Sequence, residues 1–219
     1  MEEEFWLGEA YQDSINLSDT GYMQRNIVLS KVVTAVLTFF YSGQLKCLDY
    51  AGGYGVFVRL MRDIGFDFSW QDKYTENLFA RGFEFEKSAP YDLISSFESF
   101  EHFDRPLEEI EYMLSLADSI LFSTVLSGKD IPAKDWHYYG PEHGQHISFY
   151  NIDTLRFLAK KYKLQLVSDR KSIHLFSKKK CNPLLFFLVV KLARLGLGDL
   201  LSVFKTSKTL NDWKLMRRL

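Results

Sequence analysis

Apolar residues recur at helical spacing over residues 23–41, where Leu29, Val32, Val33, Val36, Leu37 and Phe40 share one face. Ser42-Gly43 ends that helix. A short strand is predicted over Lys46–Tyr50, then a glycine turn, then a helix over Val56–Ile64 with Phe57, Leu60, Met61 and Ile64 on one side. Gly65 stops it, and a second strand runs over Phe66–Gln71 to Asp72. A short helix over Glu76–Ala80 and a short strand over Gly82–Phe85 follow. Tyr91–Ser96 and Ser119–Val125 read as strands separated by a helix over Pro106–Ala117. After a helix over Thr154–Tyr162, the strands Leu164–Asp169 and Ser172–Ser177 close the pattern as an antiparallel pair. Strands alternating with helices predict an α/β fold, a mostly parallel sheet with helices on both faces.

The 219 residues, 47% of them hydrophobic, suffice for one sizeable α/β domain with an appendage. Nineteen Phe and twelve Tyr supply an aromatic core or an aromatic-lined pocket. The two cysteines, Cys47 and Cys181, have neither zinc spacing nor the number of a disulfide framework, which fits a reducing cytoplasm. The acidic start Met-Glu-Glu-Glu-Phe lacks the order of a secretion signal. Charge divides the chain more sharply than hydropathy does. Residues 1–177 hold 17 Lys/Arg against 26 Asp/Glu, whereas residues 178–219 hold 10 against 2. The acidic body opposes nucleic-acid binding.

The chemistry concentrates where strands end. In an open α/β sheet, ligands bind beyond the carboxyl ends of the strands. The first end reads Leu48-Asp49-Tyr50-Ala51-Gly52-Gly53-Tyr54-Gly55, a turn through which backbone can approach a nucleoside. Its spacing differs from that of dinucleotide enzymes. The second end carries Asp72, 19 residues after Gly53, about where a carboxylate accepts the two hydroxyls of a ribose. The competing reading of Asp72 is a turn or helix cap. The third end carries Phe97-Glu98 and then Glu101-His102.

Taken in order, Leu48–Gly55, Asp72, Tyr91–Ile94 and Phe97–His102 resemble the successive motifs of class I S-adenosylmethionine-dependent methyltransferases. The Glu101-His102 pair before Pro106, and Gly144–Tyr150 before the last helix, resemble the ubiquinone-biosynthesis-like branch. The opening Phe5–Tyr11, Asp19–Tyr22 and Arg25-Asn26 are similar to methyltransferases found with bacterial surface-polysaccharide biosynthesis.

The resemblance implies a Rossmann-like seven-stranded sheet of order 3-2-1-4-5-7-6, with the seventh strand antiparallel. The resemblance covers a methyltransferase domain over 25–177; residues 1–24 are read as an N-terminal aromatic segment capping the site and residues 178–219 as a basic helical appendage. S-adenosylmethionine is the implied cofactor. Asp49, Ala51, Gly52, Gly53 and Gly55 would form its turn, Asp72 would hold the ribose, Phe83 or Glu84 would border the adenine, and Phe97 and Glu98 would sit beside the sulfonium and amino group. One residue departs from the pattern: Ala51 stands where the family has glycine, and alanine demands a negative φ.

A hydroxyl acceptor needs a base. His102, His137, His143 and His146 are the candidates, with His146 and His102 first. The competing reading of His146 is a histidine that bonds a backbone carbonyl to fix its loop. Trp136, His137, Tyr138, Tyr139 and His143 form an aromatic strip suited to a sugar ring or planar acceptor, or else a lid packed on itself. The acids and histidines of this region match no recognised metal-ligand spacing, so no metal is assigned.

The expected reaction is methylation of a hydroxyl on a sugar or surface-glycan precursor. The alternatives are a quinone-like small molecule or a non-catalytic nucleoside-binding scaffold. Residues 184–204 nearly reach the length of a membrane span, but Lys191, Arg194 and Asp199 interrupt them. The tail is therefore read as an appendage packed on the acidic body, as a contact between copies, or as peripheral attachment to the inner face of a membrane.

Overall fold

The computed structural model describes residues 19–87, 90–140 and 145–218. The first helix, α1 (Tyr22–Phe40), buries Leu29, Val32, Val33, Val36 and Leu37. β1 (Lys46–Tyr50), α2 (Val56–Ile64) and β2 (Asp67–Gln71) follow. β3 (Leu93–Ser96), α3 (Pro106–Leu116) and β4 (Ser119–Ser123) come next, then α4 (Ile152–Lys161), β5 (Gln165–Ser168) and β6 (Ile173–Ser177). The tail supplies α5 (Pro183–Leu192), α6 (Gly198–Ser202) and α7 (Thr209–Met216).

Six strands form one sheet of order β2-β1-β3-β4-β6-β5. β1 pairs parallel to β2 and to β3, β3 pairs parallel to β4, and β6 lies antiparallel to both neighbours. Among the described residues the sheet thus has six strands where seven were expected. The Gly82–Phe85 segment makes only a single parallel bridge, Trp70 to Glu84, outside β2. Phe83 and Phe85 bond the Trp70 backbone at 2.8 Å each, and before them the Glu84 carboxylate accepts from Asn77 Nδ2 at 2.9 Å and from the Gly82 amide. The expected helix over 76–80 is an irregular bend for a related reason: Asn77 turns its side chain onto the Ala80 amide, 2.9 Å away.

Period-two alternation divides the core between the two faces of the sheet. Cys47, Phe68, Leu93, Leu121 and Leu175 pack beneath α1, α2 and α5. Leu48, Ile94, Ile120, Phe122 and Phe176 pack beneath α3 and α4. β3, β4 and β6 are buried along their whole length, as strands covered by helices on both faces must be. Cys47 and Cys181 are free thiols, both buried.

The tail docks through a buried ion pair. Arg62 and Asp212 meet in a two-pronged contact, with 2.8 Å from Nε to Oδ2 and 2.8 Å from Nη2 to Oδ1. Arg62 also donates to Asp67 and to the Phe68 carbonyl, and its guanidinium lies 3.6 Å from the centre of the Phe83 ring. Burial alone would push Asp212 up, but Arg62 and Arg59 outweigh it and hold the carboxyl below its usual range. Gly198 lets α6 lie on α1: a Cβ there would come within 2.4 Å of the Lys31 carbonyl oxygen.

β1 and β3 are neighbours, yet the chain leaves β1 toward β2 on the other side. That change of direction opens a crevice at the carboxyl ends of β1 and β3. The turn after β1 is tight. Ala51 takes φ 57°, Gly53 takes φ 53° and Gly55 takes φ 84°. Ala51 therefore does not impose the negative φ expected of it; the turn overrides the alanine. Gly52 is needed for space, because a Cβ would stand 2.8 Å from Asp49 Oδ2 and 2.9 Å from Trp70.

An L-residue in the left-handed region costs roughly 1–2 kcal/mol, partly offset by the smaller unfolded-state entropy of alanine relative to glycine. Ala51→Gly is expected to stabilise the protein by about 1 kcal/mol, read as a higher denaturation midpoint at unchanged slope. A loss of stability would show that the turn does not strain residue 51.

Candidate active site

A cavity of about 580 Å³ lies at the carboxyl ends of β1–β3. Of the residues expected at the cofactor, Asp49, Ala51, Gly52, Gly53, Asp72, Phe97 and Glu98 all line it. Gly55 does not. It starts α2 and packs against Asn77 and Ala80. Phe83 and Glu84 also lie off the cavity, engaged with Arg62 and with Asn77.

Asp49 is 3% exposed and accepts a 2.6 Å hydrogen bond from Ser95 Oγ. Burial, opposed by that bond and assisted by the nearby Asp72 charge, pushes its carboxyl up to about 7. Asp72 serves the turn. Its Oδ2 accepts from the Gly53 amide at 2.9 Å, and its Oδ1 accepts from the Tyr74 and Thr75 amides at 2.8 Å each. The turn-cap reading of Asp72 therefore describes real bonds. They leave acceptor capacity on Oδ2, which lies at the cavity wall. Trp70 Nε1 donates to the Gly53 carbonyl at 2.7 Å, so β2 grips the turn at both a donor and an acceptor.

Glu98 stands at φ 50°, a strained position for a side-chain-bearing residue. Ser123 at the end of β4 holds it: Ser123 Oγ donates to Glu98 Oε1 at 2.6 Å and accepts from the Glu98 amide at 2.8 Å. The other carboxylate oxygen faces Arg25 Nε at 3.6 Å. Arg25, from the first turn of α1, also forks onto Asp19 at 2.5 and 2.8 Å.

Tyr22, from the end of the expected aromatic cap, lines the cavity, and so do Arg25 and Asn26, which were not assigned to the site from the sequence. Their signal was available: polar residues in Tyr22-Met23-Gln24-Arg25-Asn26 precede the apolar run of a helix whose remaining face is buried. The Tyr22 hydroxyl lies over Gly53, 3.2 Å from where a Cβ would stand, and burial pushes its pKa up to about 12.

A second group of residues forms another wall. His102, in a single 3₁₀ turn over Phe100–His102, and His146 pack ring to ring at 5.0 Å between centres, nearly perpendicular. His146 Nδ1 lies 2.6 Å from the Tyr138 carbonyl oxygen. A carbonyl only accepts, so Nδ1 carries a proton, and in the neutral ring Nε2 is the basic nitrogen. Glu101 is wholly buried, and among the described residues neither of its carboxylate oxygens makes a well-formed hydrogen bond, although the Tyr138 and Thr124 side chains act on it. Burial, reinforced by the Glu98 charge, drives its carboxyl well above the usual range. The Glu101 carbonyl accepts the Ile147 and Ser148 amides at 2.8 and 2.9 Å, which fixes the 145–150 segment against this turn.

One ligand atom each from Glu101, His102 and His146 lies within 4.8 Å of the others, so the three could hold a metal ion. Sequence spacing gave no such signal, because His146 is remote from the other two along the chain.

The aromatic strip divides. His137 and Tyr138 line the main cavity. Trp136 and Tyr139 line a separate groove with Phe149, and Tyr139 bonds the Pro132 carbonyl. Their rings pack on one another at 5.2 Å, as in the self-packed lid reading. His143 lies outside the described residues, as does most of the expected N-terminal cap over 1–24.

The cavity fits S-adenosylmethionine by its donor set. Asp49, Asp72 and Glu98 suit a ligand carrying sulfonium and ammonium charges and a ribose diol. Arg25 suits its carboxylate. The side chain absent at Gly52 lets the turn lie close against β2.

Comparison with known proteins supports this fit. Residues 23–169 match the methyltransferase-domain family. No curated protein matches the chain in sequence. Among solved structures, the plantazolicin methyltransferase BpumL with bound SAH is similar at TM-score 0.51 and 11% identity, covering 78% of this chain and 94% of that one. A SAM-dependent methyltransferase from Thermotoga maritima is similar at TM-score 0.51 and 9% identity, covering 73% and 92%. Magnesium protoporphyrin IX methyltransferase from Synechocystis with bound SAH is similar at TM-score 0.50 and 14% identity, covering 78% and 90%. At such identities the likeness speaks to the fold, and the family match carries the assignment. The chain belongs to the methyltransferase-domain family and is a class I enzyme that uses S-adenosylmethionine as its methyl donor.

Proposed function

We propose that this enzyme methylates a hydroxyl group, on a sugar or surface-glycan precursor, within the ubiquinone-biosynthesis-like branch of the family. The observation that carries the reading is His146, which lines the cavity and whose Nδ1–H is tied to the Tyr138 carbonyl, so that the neutral ring has Nε2 as its basic nitrogen. Thiolate acceptors need no such group, whereas a hydroxyl must lose its proton as it is methylated. Support for a sugar comes from the polar walls of the cavity and from the resemblance of the opening motifs to polysaccharide-associated enzymes. A second reading, a quinone-like acceptor, is favoured by Phe97, Phe103, Tyr74 and Tyr22, which give the same cavity aromatic surfaces for a planar ring. Buried free thiols at Cys47 and Cys181 suit a cytoplasmic setting.

S-adenosylmethionine supplies an electrophilic methyl group on a sulfonium, displaced in line. The protein aligns and shields. Arg25 and Glu98 would hold the amino-acid end, Asp72 the ribose, and Asp49 the nearby positive charge. His146 would receive the acceptor's proton, and His102 and Glu101 would set its orientation and field. Alignment of this kind is worth about 7–11 kcal/mol of the barrier.

The raised pKa of Asp49 sets a pH dependence. An unfolded aspartate ionises near about 4, while the folded one keeps its proton up to about 7. Between those values the unfolded state binds fewer protons, so this group lowers stability as pH rises. A cationic ligand instead favours the ionised form. Cofactor affinity, measured by calorimetry, is therefore expected to fall about tenfold per pH unit below pH 7, and the Asp49→Asn variant should bind weakly and without that slope. An unchanged slope in the variant would remove Asp49 from the site.

His146→Asn keeps a donor for the Tyr138 carbonyl and removes the base. With an acceptor identified by mass-detected methylation across nucleotide sugars and quinols, kcat is expected to fall about 10²–10⁴-fold while cofactor affinity stays within about threefold. Full activity in this variant would leave His146 as a loop-fixing residue alone.

A further inference from the structure

The tail leaves a large apolar surface uncovered. Helix geometry, at about 100° per residue, places Leu184, Leu185, Phe187, Leu188, Lys191 and Leu192 of α5 on one side within roughly 160°. Phe186, Val189 and Val190 take the opposite side, and these three are buried beneath the sheet's helical layer. The outer six are all exposed. The helix is thus apolar on both faces, and its docking to the body accounts for only one. Leu195 just before the kink at Gly196 is 74% exposed, and Leu200, Val203 and Phe204 beyond it are exposed too, Phe204 to 79%. Water-exposed apolar surface of this extent marks a binding face.

Its charge indicates the partner. Residues 178–219 carry ten basic residues, of which Lys178, Arg194 and Lys208 pair with Asp118, Asp169 and Asp67 of the body, and only Asp199 and Asp212 as acids. Both acids are engaged with the body: Asp199 with Lys31 at 2.9 Å, and Asp212 with Arg59 and Arg62 at 2.8 Å. Lys180 precedes α5, Lys191 lies within its apolar face, and both are exposed. A long apolar stripe with embedded and flanking lysines is complementary to an anionic phospholipid surface, where leucine and phenylalanine enter the acyl boundary and lysine reaches the phosphates. No helix among the described residues is long and apolar enough to cross a membrane, so the contact would be one of lying on the surface.

We propose that the outer face of α5 and α6 is a docking site for an anionic phospholipid bilayer. This surface is separate from the methyl-transfer cavity and does not depend on the identity of the acceptor. It would hold the enzyme where an acceptor carried on a lipid is presented.

The test is co-sedimentation of the full chain with vesicles of phosphatidylcholine alone and of phosphatidylcholine with phosphatidylglycerol. The expected result is sedimentation with the anionic vesicles at least tenfold above that with neutral ones, weakened by added salt. The variant Leu188→Glu/Leu192→Glu/Leu195→Glu changes only exposed positions. It should lose vesicle binding at least tenfold while keeping the helical content and the cofactor affinity of the wild type. Lys180→Glu/Lys191→Glu should lose the preference for anionic lipid. Equal sedimentation of wild type and triple variant, or equal binding to neutral and anionic vesicles, overturns the proposal. So does a wild-type dimer by light scattering that becomes monomeric in the triple variant without any vesicle binding, since a second copy would then be the occupant.

Discussion

The site depends on how closely the turn after β1 lies against β2. Gly52 has no room for a side chain between Asp49 and Trp70. The Trp70 indole and the Asp72 carboxylate then seize the carbonyl and amide of Gly53, so the backbone is fixed by donors and acceptors from the neighbouring strand. The cost is visible at Ala51, which is forced to positive φ, and at the buried Asp49, which is kept near neutrality. Strain and a perturbed acid at one turn are consistent with a surface formed before its ligand arrives.

The cavity combines this rigid floor with walls from distant parts of the chain. α1 contributes Tyr22 and Arg25, the turn after β3 contributes Glu98 and His102, and the 145–150 segment contributes His146. Each wall is braced by hydrogen bonds to its neighbour: Ser123 to Glu98, the Glu101 carbonyl to two amides of the later segment, and His146 to Tyr138. The acidic side of the cavity matches a doubly cationic ligand, while Arg25 gives it one positive anchor. The basic tail lies elsewhere, docked through the buried Arg62–Asp212 pair, so the charge asymmetry along the sequence becomes a spatial separation of two surfaces.

Much of this was legible in the sequence because it is local. Helix α1 and the Val56–Ile64 helix follow from apolar periodicity, and the glycine turn with Asp72 follows from spacing at strand ends. What stayed hidden depends on contacts between remote segments. The Gly82–Phe85 strand shortens to a single bridge at Trp70, and the Ala80 and Gly82 amides just before it are taken by the Asn77 and Glu84 side chains. Arg25 lines the cavity only because the first turns of α1 reach the carboxyl ends of the strands, and the Glu101–His102–His146 cluster exists only once two loops meet. Trp136 and Tyr139 show the converse: an aromatic run that looked like one surface is split between the cavity and a self-packed groove. For Asp72 and His146 the structural readings describe real bonds, to the Gly53 amide and the Tyr138 carbonyl, and both residues line the cavity.

The central claim is that the turn over Asp49–Gly53 is the floor of an S-adenosylmethionine site. Isothermal calorimetry of the full chain with the cofactor and with its demethylated product, repeated on Gly53→Val, tests it most directly. A valine at φ 53° beneath Tyr22 would meet both backbone strain and the tyrosine hydroxyl. The account predicts saturable binding of both ligands to the wild type and a loss of at least about a hundredfold in the folded variant, on the order of 3 kcal/mol. Normal binding by Gly53→Val, or binding of neither ligand by the wild type, would contradict it.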